Sequence, residues 1–459
     1  MTFPIMNLPL TIVEAAAAIR RGSLSPLELV ADCLSRIKAF EADVSAWVSV
    51  DGDAALAIAE NRTRELSHGK PLGPLHGIPL GIKDIVDVAG LPTRAGSTLT
   101  SADPAQADAF VVTRLRAAGA IILGKTVTTE FACFDPPPTK NPWNAGHTPG
   151  GSSSGSAAAL AAGMCLGAIG SQTGGSINRP ASFCGVAGIK PTFGRVSRRG
   201  VLPVSFHLDH VGPMARTAAD CGLLLAAIAG SDPHDPASSV RPGIELPDDR
   251  ASWAPEHPPR LGVIRQFFFE GADAETAALV EEALALLASQ GAKLVELQLP
   301  DHFGQVHAMH RRIMASEAAE FHRIAYGWPR EGYGPRMREL LDEGTHVTLG
   351  EYQEALQHRT AFRNAVHRAL ADVDALALPA APGPAPDTST TGDARFNSPW
   401  SHAGVPAVSM PCGVTRAGLP VAVQLVGEAW SEDWLLPIAT WCEKKLRFRG
   451  LPPLLAQGA

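Results

Sequence analysis

Two neighbouring stretches carry the densest glycine and serine motifs of the sequence, PGGSSSGSAAALAAG at residues 149–163 and GSQTGGSINRPASFCGVAGIKPTFGRVSRRG at residues 170–200. Between Asn141 and Asn178 there is no Lys, Arg, Asp or Glu, and Gly, Ser and Ala predominate. A membrane-spanning helix needs about 20 mostly apolar residues, and the glycines that follow Pro149 interrupt such a run. The segment therefore predicts a buried part of a globular core in which backbones approach one another closely.

Around these stretches the pattern alternates between helix and strand, which is typical of α/β proteins. Ser25 and Glu28 form a capping box with a proline at the first helical position. The predicted elements near the motifs are a helix over 26–42, a strand over 78–87, a strand over 120–125, a helix over 153–164 and a strand over 165–171.

The end of the chain resumes this alternation, with predicted strands at 375–378, 407–410 and 421–426. A length of 459 residues would suggest about three domains. The resumed pattern favours one domain over 1–459 with a continuous sheet. Polar, His-rich helices over about 302–372 predict a helical cap on that domain.

Composition narrows the class of protein further. Hydrophobic residues make up 45% and charged residues 19%, with a formal net charge of -7. A nucleic-acid surface needs clustered Lys and Arg, so we expect neither a nucleic-acid nor a membrane partner. The seven cysteines form no CxxC pair and predict reduced thiols in a cytoplasmic protein. The first residues carry no basic segment before an apolar run, so we expect no signal peptide.

Glycine-flanked serines and a lysine in an apolar strand indicate serine-nucleophile chemistry, since a base must take the hydroxyl proton. The lysine is Lys83 in GIKD, and a P-loop is excluded because no Gly-Lys-Ser/Thr follows the glycines. Ser153 is the centre of a G-x-S-x-G pattern, but loop residues precede it where an elbow needs a strand. A Ser-His-Asp alternative would use His207 or His210 beside Asp209.

Together with LHGIPLGIKDIVDVAGLPTRAGS at residues 75–97, the two stretches resemble the amidase signature family of serine hydrolases. The likeness is dense over about 70–215, which is the expected signature core, and weaker at 121–126, 397–406 and 419–427. The resemblance implies an α/β fold in which helices cover both sides of a large mixed sheet. It also implies a Ser–cisSer–Lys triad and neither metal nor cofactor.

Position by position, the resemblance assigns the nucleophile to Ser176, the serine after a cis peptide bond to Ser152 and the base to Lys83. The resemblance also implies an oxyanion hole of backbone N–H groups and an acyl-enzyme intermediate. The oxyanion-hole residues are Thr173, Gly174, Gly175 and Ser176. Ser171 and Gln172 are expected to support these groups.

The sequence departs from the family's commonest pattern beside the nucleophile. Gln172 and Asn178 occupy positions where many members have Asp and Arg, which predicts a neutral amide pair in place of a charged one. The change resembles a bacterial malonamidase-like subgroup. Arg179, three residues after Ser176, is then a candidate receptor for an acyl carboxylate, or else the partner of a structural Asp or Glu.

The expected function is hydrolysis of a small-molecule linear amide to an acid and an amine or ammonia, with esters, anilides or carbamates as further substrates. Phe131 and Phe134 are candidates for an apolar wall of the substrate site. Two alternatives remain open: the A-type subunit of a tRNA-dependent amidotransferase, and a non-catalytic protein that keeps the fold. The sequence predicts neither the physiological substrate nor the oligomeric state.

Overall fold

The computed structural model describes residues 11–68, 73–244, 257–327 and 330–456. The first ten residues, on which part of the signal-peptide prediction rests, lie outside these ranges. Within them, no helix has both the length and the apolarity that crossing a membrane requires.

A single mixed sheet of eleven strands organises the described chain, in the order β1-β3-β2-β4-β6-β5-β10-β11-β9-β7-β8. Strand pairs are parallel at β3-β2, β2-β4, β9-β7 and β7-β8 and antiparallel elsewhere. The strands are β1 (Trp47–Val50), β2 (Pro79–Lys83), β3 (Ile121–Thr126), β4 (Gly167–Gln172), β5 (Ala187–Lys190), β6 (His210–Ala215), β7 (Arg260–Ile264), β8 (Lys293–Leu297), β9 (Ala375–Pro379), β10 (Ala407–Val414) and β11 (Pro420–Val426).

Helices pack on both faces of this sheet, as expected. The described helices are α1 (Ile12–Arg20), α2 (Pro26–Val44), α3 (Gly52–Ser67), α4 (Phe110–Ala117), α5 (Ser154–Ala161), α6 (Asn178–Cys184), α7 (Ala218–Ile228), α8 (Ala274–Ser289), α9 (Val306–Tyr326), α10 (Pro335–His346), α11 (Leu349–Ala369), α12 (Ser398–Ala403), α13 (Glu432–Leu446) and α14 (Pro453–Ala456).

Two glycines of β4 show why the core needs small residues. A Cβ on Gly167 would lie 2.7 Å from Leu224 of α7, whereas a Cβ on Gly170 would lie 2.8 Å from the Ser153 hydroxyl, just before α5. Residues three apart on a strand face opposite sides of the sheet. Both faces of β4 are therefore covered so closely that a side chain would collide with the covering elements.

Local sequence signals set several element boundaries. Helix α2 begins after Ser25, whose hydroxyl accepts from the Glu28 N–H at 3.1 Å while the Glu28 carboxylate accepts from the Ser25 N–H at 2.8 Å. The capping box predicted from the sequence is therefore confirmed. The predicted strands carrying Lys83 and Ser171 are also present, as β2 and β4.

The segment expected to form a cap contains three consecutive helices, α9, α10 and α11. Helix α9 packs against both of the others and against α12. Its residues His307, His310 and Met314 border the cavity that also contains Ser176.

Candidate active site

Two neighbouring parallel strands bring a lysine and a serine together. Lys83 is the last residue of β2, and Ser171 is the penultimate residue of β4, which pairs with β2. The Lys83 ammonium nitrogen donates to the Ser171 hydroxyl at 2.8 Å and to the Ser152 hydroxyl at 2.7 Å. The supporting position predicted for Ser171 is therefore next to the lysine.

The surroundings of Lys83 favour its neutral form. Its side chain is fully buried, and burial lowers its pKa from 10.5 to about 7, while the Asp209 charge acts in the opposite direction. Desolvation penalises the ammonium relative to the free amine. Near neutral pH this lysine therefore has a substantial unprotonated fraction, and its lone pair can accept a proton from a serine hydroxyl.

Ser152 lies in a tight turn just before α5, and the Gly151–Ser152 peptide bond is cis, as the resemblance implies. The preceding Gly150 has φ +82°, and a Cβ there would lie 2.8 Å from the Pro180 backbone. Only glycine combines that backbone conformation with such an approach. The glycines of the motif thus let the chain turn closely enough to present the Ser152 hydroxyl to Lys83.

The loop from Thr173 to Ser176 follows β4 directly. In the described part of the chain, the N–H groups of Gly174, Gly175 and Ser176 have no hydrogen-bond acceptor. Gln172 holds the far end of this loop, because its side-chain oxygen accepts from the N–H groups of Ile177 at 2.8 Å and Asn178 at 3.0 Å. Free backbone donors on a held loop are suited to binding a developing oxyanion.

A cavity of about 370 Å³ contains Ser152, Ser176 and the whole of this loop in its wall. Its volume suits a small-molecule ligand. The other lining residues combine apolar and charged groups: Ala132, Cys133, Phe134, Arg179, Val204, His307, His310, Arg311, Met314, Thr391, Gly392, Asp393, Ala394, Arg395 and Ser398.

Arg179 lies in the cavity wall and is only 4% exposed. Its guanidinium donates to the Gly151 carbonyl at 2.6 Å and to the Thr391 hydroxyl at 3.4 Å, and its Nε has no partner in the described residues. Burial lowers its pKa to about 10, so the group is charged at neutral pH. No described carboxylate lies in direct ion-pair contact with it, but the charge of Asp393, which lines the same cavity, raises its pKa. The structural Asp or Glu partner weighed from the sequence stays a prediction.

The two phenylalanines suggested as an apolar wall separate in space. Phe134 lines the cavity, with Arg311 stacked over its ring at 5.1 Å. Phe131 instead packs against His322 and Tyr326, with ring centroids 4.6 Å and 5.2 Å away. Its backbone is left-handed at φ 46°, and its buried ring belongs to an aromatic cluster rather than to the cavity wall.

The expected amide pair does not form between side chains. Gln172 contacts the backbone N–H of Asn178, whereas the Asn178 side-chain nitrogen reaches the Ala407 carbonyl at 3.4 Å. Since Asn178 begins α6, a side chain at residue 172 satisfies free helical N–H groups there. Its neutral amide provides an acceptor for them without a negative charge.

The alternative nucleophile and triad find no support in the geometry. Ser153 is fully buried, and its hydroxyl donates to the Ser171 carbonyl at 3.3 Å. Asp209 accepts from the Thr173 hydroxyl at 2.5 Å and from the N–H groups of Val204 and Ser205. His210 contacts the Gln172 carbonyl instead of that aspartate.

The sequence does not predict two residues that lie beside the loop from Thr173 to Ser176, which we call the oxyanion loop. Ser401 donates to the Gly174 carbonyl at 2.7 Å, and His310 places its Nε2 3.7 Å from the position of a Cβ on Gly174. Burial lowers the His310 pKa to about 3, so the imidazole is neutral. Ser401 lies within the weaker stretch of likeness at 397–406, but no local pattern connects either residue to the loop.

Comparison with known proteins identifies the family of the chain. The family model described as Amidase matches residues 28–436. The A-type subunit of glutamyl-tRNA(Gln) amidotransferase from Chloroflexus aggregans is 37% identical, covering 94% of this chain and 95% of that protein. The structure of the peptide amidase from Stenotrophomonas maltophilia matches with a TM-score of 0.85 at 32% identity, covering 98% of this chain and 99% of that one.

A further solved structure, 6-aminohexanoate cyclic dimer hydrolase complexed with substrate, matches with a TM-score of 0.86 at 26% identity over 98% of this chain and 100% of that one. In the described ranges, no three His, Cys, Asp or Glu side chains are grouped as a metal ion would require. The family match spans most of the chain, and both the sheet and the lysine–serine cluster accompany it. The chain belongs to the amidase signature family.

Proposed function

We propose that the protein hydrolyses a small-molecule linear amide through an acyl-enzyme on Ser176. The observation that supports this most is the pairing of Lys83, fully buried and with a pKa of about 7, with the Ser152 hydroxyl at 2.7 Å. Ser152 borders the same cavity as the N–H groups of Gly174, Gly175 and Ser176, which have no acceptor among the described residues. A base, a proton carrier, a nucleophile and oxyanion donors are the groups that acyl transfer needs.

In the proposed acylation, the Ser176 oxygen bonds to the substrate carbonyl carbon as its proton passes to Ser152. Ser152 gives its own proton to the neutral Lys83 amine. The oxyanion is bound by the N–H groups of the loop. When the carbon–nitrogen bond breaks, the leaving nitrogen takes a proton from Ser152, which Lys83 replaces.

Deacylation repeats these steps with water in place of the serine hydroxyl. Water bonds to the acyl carbon and its proton passes to Lys83 by way of Ser152. The ester bond to Ser176 then breaks, the serine oxygen recovers a proton from Ser152, and Ser152 regains its own proton from Lys83. The products are a carboxylic acid and an amine or ammonia, and the cluster returns to its starting protonation state. No metal or cofactor takes part in the proposed reaction.

We also propose that the acyl part of the substrate carries a carboxylate or another strongly polar group that binds Arg179. The support is a charged guanidinium in the cavity wall with an unpartnered Nε and no described ion-pair partner. A buried charge with no counterion in direct contact is costly, and the Asp393 charge offsets only part of the desolvation of this guanidinium. Two parallel hydrogen bonds from its fork to a carboxylate would offset that cost.

The second candidate function is that of the A-type chain of a tRNA-dependent amidotransferase, favoured by the 37% identity to such a protein over nearly the whole chain. In that case a partner chain and a tRNA would take part in the reaction. The neutral Gln172 and Asn178, where many family members have Asp and Arg, support the free-standing amidase instead. We expect the protein to act in the cytoplasm as an enzyme on small molecules.

Fluorophosphonate labelling and hydrolysis of p-nitrophenyl acetate and acetanilide by the purified chain test this proposal. We expect one phosphonyl adduct, on Ser176, and turnover without any partner protein. If the labelled protein shows no turnover until a partner is added, the result favours the amidotransferase role. Absence of both labelling and turnover would favour the non-catalytic alternative.

A further inference from the structure

The carbonyl group of Gly174 is held by a residue from a distant part of the chain. Ser401, on α12, donates its hydroxyl proton to this carbonyl at 2.7 Å. The Ser401 side chain is fully buried. The oxyanion loop is therefore fixed on its outer side by a helix that lies 227 residues further along the chain.

The Gly174 carbonyl can only accept, and Gln172 supports the matching orientation of the Ser401 hydroxyl. The Gln172 amide oxygen accepts from two backbone N–H groups, so its nitrogen is the atom that lies 3.1 Å from the Ser401 oxygen. The Ser401 oxygen accepts a hydrogen bond from this nitrogen, and the Ser401 hydroxyl proton is donated to the Gly174 carbonyl. The two side chains thus form a relay of hydrogen bonds that runs from Gln172 through Ser401 to the loop.

Peptide geometry links this outer contact to the cavity. In a trans peptide unit, the carbonyl of one residue and the N–H of the next point in opposite directions. Holding the Gly174 carbonyl toward Ser401 consequently directs the Gly175 N–H the other way. Gly175 lines the cavity beside Ser176, and its N–H has no acceptor among the described residues.

The two ends of this peptide unit are packed differently, since a Cβ on Gly175 would lie 2.7 Å from the Asn397 side-chain oxygen whereas the Gly174 end is open. Two consecutive glycines allow it to rotate through conformations that other residues avoid. A Cβ on Gly174 would have its nearest neighbours, Ala394 and His310, no closer than 3.7 Å. At the open Gly174 end, the hydrogen bond from Ser401 to the carbonyl is thus the contact that favours the orientation in which the Gly175 N–H is presented to the cavity.

We propose that Ser401 is a positioning residue that orients the Gly175 N–H toward the substrate oxyanion, with Gln172 supporting the orientation of the Ser401 hydroxyl. This inference rests on the proposed function, because it needs an oxyanion to form beside Ser176. Ser401 itself does not touch the substrate. Its contribution appears in the transition state, where the charge on the oxygen has developed.

The test compares Ser401→Ala with a matched control, Ser409→Ala. Ser409 is also a fully buried serine, in β10, but its hydroxyl has no hydrogen-bond partner in the described residues. Both substitutions remove one buried hydroxyl. Any general effect of that loss on packing is then common to the two variants.

We expect Ser401→Ala to lower kcat for p-nitrophenyl acetate by about 10-fold, at the upper end of the change that one neutral hydrogen bond produces in an equilibrium. KM should stay within about 2-fold, since the ground-state carbonyl is weakly charged. The rate constant of phosphonylation by a fluorophosphonate should fall in parallel with kcat. The pH midpoint of that reaction should not move, because Lys83 and Ser152 are untouched.

Ser401→Cys keeps a similar size with a weaker donor, so its kcat should lie between those of wild type and Ser401→Ala. If the alanine variant does not fold, the cysteine variant is compared with Ser409→Ala instead. Equal rates for the variant and the control, or a higher KM at unchanged kcat, overturn the positioning role. If labelling occurs away from Ser176, the proposed function itself fails, whichever way the Ser401 comparison turns out.

Discussion

The ionisation of Lys83 predicts how the reactivity of Ser176 changes with pH. The experiment raises the pH from 6 to 8, across the pKa of about 7 that burial gives this lysine. Because the pKa is lowered, the neutral base is scarce below it and abundant above it. Reactivity should therefore be gained as the pH rises through about 7.

The size of the gain follows from that value. With a pKa of about 7, the neutral fraction rises from about 0.09 at pH 6 to about 0.9 at pH 8, which is roughly a 10-fold increase. A lysine with an unshifted pKa of 10.5 would instead give about a 100-fold increase over the same range. The measured pH dependence belongs to the coupled Lys83–Ser152–Ser176 system. Even so, a 10-fold increase is easily distinguished from a 100-fold increase.

Phosphonylation by a fluorophosphonate is the assay, since it requires the nucleophile and no natural substrate. The second-order rate constant is followed by intact-protein mass spectrometry at each pH. Lys83→Met should lower the rate constant that wild type reaches at high pH by about 10²- to 10⁴-fold, which is the contribution expected of a general base. Lys190→Met is the matched control: Lys190 is equally buried with a pKa of about 7, but its nitrogen donates to the Pro191 and Val405 carbonyls.

Two results would contradict this role of Lys83. A rate constant that rises 100-fold between pH 6 and pH 8 would mean that the lysine keeps its ordinary pKa. Equal rate constants at high pH for Lys83→Met and Lys190→Met would mean that a buried lysine matters for stability alone and that another group takes the Ser176 proton.

Further predictions concern the nucleophile, the acyl site, metal dependence and the core. Ser176→Ala should abolish turnover and labelling while the melting temperature stays near wild type, and a new adduct on Ser153 would contradict the assignment. For two substrates that differ by one acyl carboxylate, wild type should have the higher kcat/KM for the anionic substrate, and Arg179→Ala should lose that preference. If both proteins have the same ratio of kcat/KM for the two substrates, Arg179 does not bind the acyl carboxylate. EDTA should leave the rate unchanged, whereas a loss restored by zinc would contradict the metal-free mechanism. Phe268→Ala should lower the free energy of unfolding by roughly 3–5 kcal/mol, because Phe268 is fully buried and stacks on Trp400 at 5.7 Å; a loss below about 1 kcal/mol in denaturant titrations would contradict that packing.

Much of the fold could be predicted from local signals. The capping box at Ser25 and the apolar segment that carries Lys83 each define an element through interactions within a few residues. The order of the strands could not be predicted in this way. Strand β5 pairs with β6 and β10, and the second of these pairings joins residues more than 200 positions apart.

The residues of the candidate site also fall into two groups, those predicted from local sequence and those positioned by distant contacts. Lys83, Ser152 and Ser176 were predicted because the family resemblance rests on residues adjacent to them in sequence. Ser401 was missed because a serine on a short helix carries no local pattern that reports a distant carbonyl. Phe131 was placed in the cavity wall because aromatic composition alone does not reveal which way a left-handed backbone turns the ring.

The position of β10 has a consequence for how the protein is made. On the ribosome, Lys83, Ser152 and Ser176 emerge long before β10, whose residues pair with β5 in the middle of the finished sheet. Until then β5 has a free edge, and unpaired edges are open to pairing with other chains. This edge of β5 thus stays unpaired until β10 has been made, and the wall of the cavity around Ser176 is complete only after Ser398 of α12 has followed the earlier residues.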